Sequence, residues 1–133
     1  MRFSTKYTLA LQILIICYLH KDEKITSNFI AAHTGADASI IRYTMLDLKK
    51  KDLIVSKPGI RDRSKLTLYD VYELVAEPSD NLLKFYDFPD TATTIDKQIK
   101  ESADVIFENI KHQIFNTMKE TYVSDIYKDI NLD

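Results

Sequence analysis

Apolar residues return every three or four positions from Ile95 through Ile99, Ala103, Ile106, Ile110 and Ile114 to Met118. That spacing places them along one face of an α-helix. Phe107 and Phe115 widen the stripe, and no proline or glycine interrupts it. The pattern predicts one helix from about Thr94 to Tyr122, roughly 40 Å long at 1.5 Å per residue. A chain of 133 residues makes one compact domain, and a small domain cannot cover a helix of that length. The uncovered stretch is expected to pack on a second copy of the chain, with Ile99, Ala103, Ile106, Phe107, Ile110, Ile114 and Met118 as the dimerisation residues.

The rest of the chain also reads as helical. Only two glycines and three prolines punctuate it, which disfavours a turn-rich all-β fold. Ser4 or Thr5 caps a helix running to Leu19 or His20. Its residues Leu9, Leu11, Ile13, Ile15, Ile16, Tyr18 and Leu19 make it apolar nearly all round, so it is expected at the centre of the core. Thr26 or Ser27 opens a short helix through about His33. Gly35 then marks a turn that needs a positive φ. A third helix spans about Ala38 to Lys51, with Ile41, Met45 and Leu48 as its apolar stripe and Ile40 and Leu46 alongside.

Two short helices joined by a four-residue turn containing glycine fit a helix-turn-helix. After them come the β-prone run Leu53-Ile54-Val55-Ser56, the turn signal Pro58-Gly59 and a return at Ser64-Lys65-Leu66, which together predict a small wing. Thr67 caps a fourth helix bearing Leu68, Val71, Tyr72 and Val75, and Pro78 ends it. The expected fold is mainly α with a small β wing: a winged helix-turn-helix over residues 1–77, a connector over 78–94, and a dimerisation helix with a tail over 95–133.

The formal net charge of -2 conceals a division. Residues 1–66 carry 12 Lys and Arg against 6 Asp and Glu, a net of +6, whereas residues 67–133 carry 6 against 14, a net of -8. A basic front half and an acidic back half suit a molecule with one face toward phosphate and the other away from it.

The opening Met1-Arg2-Phe3-Ser4-Thr5-Lys6 with Leu9-Ala10-Leu11 resembles that of the Rrf-two family of bacterial winged-helix transcription regulators. So do Ile30-Ala31 before Gly35, the passage from Leu48-Lys49 through Leu53-Ile54-Val55-Ser56, and Thr67-Leu68 to Asp70-Val71-Tyr72 with Val75. The likeness covers about residues 1–77 and is to the small cluster-free members from Firmicutes. It implies a homodimer whose long C-terminal helices cross and which mostly represses transcription. Three features depart from the family pattern, one being that Thr93 and Thr94 stand where near relatives often keep a single cysteine. The wing here reads Pro58-Gly59-Ile60-Arg61-Asp62-Arg63 with a compressed link to Thr67. The connector has no cysteine, where cluster-binding members carry three; this excludes an iron–sulphur sensor, because thiolates hold such clusters.

Candidate DNA-binding residues follow from this layout. Asp37, Ser39, Arg42 and Tyr43 occupy the polar edge of the third helix, the element that enters a major groove. Arg42 suits a base contact, since a guanidinium bridges the two acceptors of guanine; the alternatives are phosphate or a local pair with Asp47. Asp37 also reads as a plain cap. Arg2, Ser4, Thr5, Lys6 and Ser27 stand at helix starts, where cations, hydroxyls and free amides position phosphate; the alternative for the first four is a plain cap with a mobile terminus. Lys57, Arg61, Arg63 and Lys65 form a basic wing, either tracking the backbone, entering a narrow minor groove or simply solvated. Lys49-Lys50-Lys51 complements a helix terminus and is assigned no base.

Catalysis is not expected. No nucleophile–base pair, phosphate loop or metal-ligand spacing is present, His20, His33 and His112 are scattered, and Glu73 and Glu77 read as a solvated face. Cys17 sits on the apolar first helix, where a thiol is inert. No cofactor is expected. The apolar run Leu9–Leu19 is too short to span a bilayer and no cleavage site follows it, so a cytoplasmic location is expected. The function expected is a homodimeric repressor on double-stranded palindromic DNA, with effector unspecified. The alternative is a winged-helix protein-interaction module that binds no DNA.

Overall fold

The structure, a computed structural model, describes residues 5–20, 23–53, 65–77, 83, 85 and 87–130. Among these residues lie α1 (Thr5–Leu19), α2 (Ser27–Thr34), α3 (Ala38–Lys50), α4 (Leu68–Val75), α5 (Thr94–Glu120) and α6 (Val123–Tyr127). None is long and apolar enough to cross a membrane.

Helix α1 is the centre of the core, as its all-round apolar sequence predicts. Tyr7, Leu9, Ala10, Ile13, Leu14 and Cys17 are buried, and α2, α3, α4 and α6 pack around it. Ile30 of α2, Ile41 and Leu48 of α3, and Val71, Tyr72 and Val75 of α4 complete the same cluster. The Tyr7 hydroxyl donates to the carbonyl of Leu68 at 2.9 Å, tying α1 to the start of α4. Burial pushes that phenol up to about 12. Thr44 is the buried polar side chain of α3, and it donates to the Ile40 carbonyl at 2.8 Å, so its hydroxyl is satisfied inside the helix.

Local chemistry sets the helix ends. Thr26 caps α2 by accepting from the Phe29 amide. Gly35 stops it at φ 75°, its amide returning to the Ala31 carbonyl. A Cβ at Gly35 would meet nothing within 4 Å, so glycine is required by the backbone conformation and not by space. Asp52, at φ 62°, ends α3: its amide bonds the Lys49 carbonyl and the Leu53 amide bonds the Leu48 carbonyl. This is a Schellman stop with an aspartate where glycine is usual, and the buried Leu53 supplies its apolar contact. Thr67 with Asp70, and Thr93 with Asp96, form capping boxes that start α4 and α5.

The C-terminal half departs from expectation. The long helix ends at Glu120, short of Tyr122. Thr121 and Tyr122 are extended, and Tyr122 forms an antiparallel bridge with Thr67, the Leu68 amide donating to the Thr121 carbonyl and the Val123 amide to the Leu66 carbonyl, both at 2.8 Å. The chain then forms α6, whose Tyr127 ring lies 4.5 Å from that of Tyr18 on α1. This isolated bridge is the only β pairing among the described residues. Most of the expected wing, residues 54–64, lies outside them. The described end of the expected return strand, at Leu66, pairs with the C-terminal segment.

The stripe of α5 divides between two surroundings. Ile114 and Phe115 pack on the core and Met118 is only 7% exposed. The Phe115 ring lies 5.0 Å from Tyr69 and 5.5 Å from Tyr72. Met118 was expected at a subunit seam; it is instead buried in its own chain, because the last turns of α5 cross α4. Ile114 is turned the same way. Phe107 is half-buried with its ring 5.9 Å from Phe85, and Ala103 is half-buried. Ile95, Ile99, Ile106 and Ile110 remain exposed.

Candidate nucleic-acid interface

The α2–turn–α3 unit presents one outward face. At about 100° per residue, Ser39, Arg42, Tyr43 and Leu46 fall on the side of α3 opposite the buried Ile41, Thr44 and Leu48. All four are exposed. The helix is therefore anchored by one side and leaves a full stripe for a partner.

The predicted residues that are among the described ones each have a definite place. Asp37 caps α3: it accepts from the Ser39 amide at 3.3 Å and from the Ser39 hydroxyl at 2.8 Å. These bonds, with the Arg42 charge nearby, hold its carboxyl below the usual carboxylate range. The capping role is thus visible, and Ser39 keeps its lone pairs for an outside donor. Arg42 forms no ion pair among the described residues. Its local competitor, Asp47, is occupied by Lys6 at 3.0 Å.

Lys6 itself was expected on phosphate. Its ammonium bonds Asp47 and sits 5.1 Å from the centre of the Tyr43 ring. Lys6 thus links α1 to α3 beside Tyr43, because α1 and α3 pack together. Tyr43 remains 61% exposed beyond that link. Thr5 is exposed at the start of α1, Ser27 is half-buried at the start of α2, and Lys65 is exposed beside the bridged segment. Arg2, Ser4, Lys57, Arg61 and Arg63 lie outside the described residues.

Sequence reasoning set Leu46 beside the apolar stripe. It is 55% exposed on the outward face. The spacing 39, 42, 43, 46 carried the signal, since these positions share a helix side.

Cys17 is 3% exposed in the core, and burial pushes its thiol up to about 11 despite the charge of Lys49. At pH 8 the native protein should react with iodoacetamide about a hundredfold more slowly than the guanidinium-unfolded chain, because the thiolate is the nucleophile. Mass spectrometry of timed samples measures this; equal rates would place Cys17 at the surface.

A family model described as "Rrf2: Iron-dependent Transcriptional regulator" matches residues 3–129. YwnA of Bacillus subtilis (strain 168), described as a candidate HTH-type transcriptional regulator, is 25% identical over 124 residues, covering 89% of this chain and 92% of YwnA. The fold matches a crystal structure of a candidate transcriptional regulator from Lactobacillus plantarum with a TM-score of 0.75, at 17% identity over 96% of this chain and 90% of that one. It also matches CymR (YrzC), the global cysteine regulator of B. subtilis, with a TM-score of 0.67, at 14% identity over 98% of this chain and 99% of that one.

The iron in the family description meets no grouped donors among the described residues. The chain has one cysteine, and it is buried as a neutral thiol on α1. Among the described residues no three His, Cys, Asp or Glu side chains are grouped to hold a metal ion. A thiolate-held cluster does not fit this residue set.

Proposed function

Because this chain belongs to the Rrf2 family of transcriptional regulators, we propose that it acts as a homodimeric repressor, with α3 of each subunit in the major groove of a palindromic operator. The family is one of regulators and not of enzymes. In this reading residues 1–77 carry the DNA contacts, 78–94 connect, and 95–133 join the subunits. Half-sites then lie about one helical turn apart, roughly 34 Å.

The observation that supports this reading is the exposed face of α3, on which Arg42 forms no ion pair among the described residues while Asp47 is paired with Lys6. A groove of acceptors and phosphates complements such a face. Lys65, with the cations of the wing, supplies sequence-independent affinity that falls as salt rises.

Duplexes selected from a random pool by the purified protein provide the test. Arg42→Ala should lose about 10-fold or more on the selected sequence and accept other bases at one position in each half-site. Lys65→Ala should weaken all sequences alike and reduce the salt slope by about one. Unchanged affinity and base preference in Arg42→Ala would remove α3 from the groove.

A further inference from the structure

Leu46 is the residue of the outward face that polar recognition does not explain. At about 100° per residue it lies about 40° from Arg42 and about 60° from Tyr43 around α3. Lys49 and Lys50 bracket it one turn further on. Leu46 is 55% exposed one turn beyond Tyr43, itself 61% exposed, so two large side chains with apolar surface stand together within the cationic stripe, and it is such a contiguous patch, not a single exposed residue, that marks a surface to be covered.

We propose that Leu46 reads sequence by packing on the C5-methyl of a thymine in the major groove. This inference rests on the placement of α3 stated above and adds a second base preference to that of Arg42. The charges commit the face to DNA. Arg42, Lys49 and Lys50 surround Leu46, while Asp47 is paired with Lys6 and the remaining carboxylate, Asp37, stands at the start of the helix and is outnumbered by these three cations.

The major groove offers one apolar feature, the thymine methyl, and an aliphatic side chain is its usual contact. Leu46 stands four residues beyond Arg42, about 6 Å along the helix. Its thymine therefore lies about two base pairs from the guanine read by Arg42, at a rise of about 3.4 Å per step. Tyr43, beside Lys6, closes the side of the contact and keeps water from the methyl.

Single replacements of thymine by uracil in a selected operator remove one methyl and leave every hydrogen-bonding group. With the wild-type protein, one such position per half-site should lose about fourfold in affinity, the value of one buried methyl group. Leu46→Ala should bind the thymine operator several-fold more weakly and show no further loss on uracil at that position. Thermal melts confirm that the variant is folded, and the uracil series on the wild-type protein needs no variant at all. Indifference of the wild-type protein to uracil at every position, or full uracil sensitivity in Leu46→Ala, would overturn the assignment while leaving DNA binding intact. Failure to select any duplex would overturn it together with the reading it rests on.

Discussion

Ile106→Glu is expected to give a folded monomer that binds the operator about a hundredfold more weakly than the parent, because joining two half-site readers raises avidity by about that factor or more. Ile106 is 60% exposed and lies in the stretch of α5 that its own chain leaves bare. A carboxylate there costs the isolated subunit little. Buried in a subunit seam, the same carboxylate has no partner and opposes association. Light scattering and circular dichroism should show half the mass with unchanged helicity, and operator titration the lost affinity. A variant that stays dimeric would move the seam elsewhere and detach residues 95–110 from assembly. Met118→Glu provides the contrast, since Met118 belongs to the core of its own chain; that change should unfold the subunit and not merely separate it.

Ile41→Ala should destabilise the subunit by about 2–5 kcal/mol. Ile41 is fully buried where α3 meets the central cluster, and its loss leaves a cavity among fully buried neighbours such as Ile13, Leu14 and Ile30. For a chain of this size the thermal midpoint should fall by roughly 10 °C at fixed protein concentration. Because Ile41 orients the face that bears Arg42 and Leu46, operator affinity at a temperature where the variant is folded reports whether the face is held by this anchor alone. A shift of less than about 1 kcal/mol would mean that α3 is seated by its caps rather than by the core.

Much of the architecture is legible from neighbouring residues. The all-apolar circumference of α1, the threonine caps at Thr26, Thr67 and Thr93, the glycine stop at Gly35 and the long periodic helix each depend on residues at most a turn apart. The outward face of α3 is nearly as legible, since Ser39, Arg42 and Tyr43 share a side of one helix. Leu46 escaped because its residue type suggests a core position, and periodicity alone does not say which apolar residues a neighbouring helix reaches. The partners of Lys6 escaped for the converse reason. A cation near a helix start suits phosphate, and nothing local reveals that α3 brings Asp47 and Tyr43 against it.

Taken alone, the sequence determined the helical class, the order of the first five helices, the helix-turn-helix and the opposed charges of the two halves, because caps, periodicity and charge act within a few residues. Only the tertiary structure decided where the stripe of α5 passes from its own core to open surface, that Thr67 bridges to Tyr122, and that α6 returns to α1. Those outcomes depend on contacts between segments tens of residues apart, and their energies depend on which surfaces closure brings together, which no local pattern encodes.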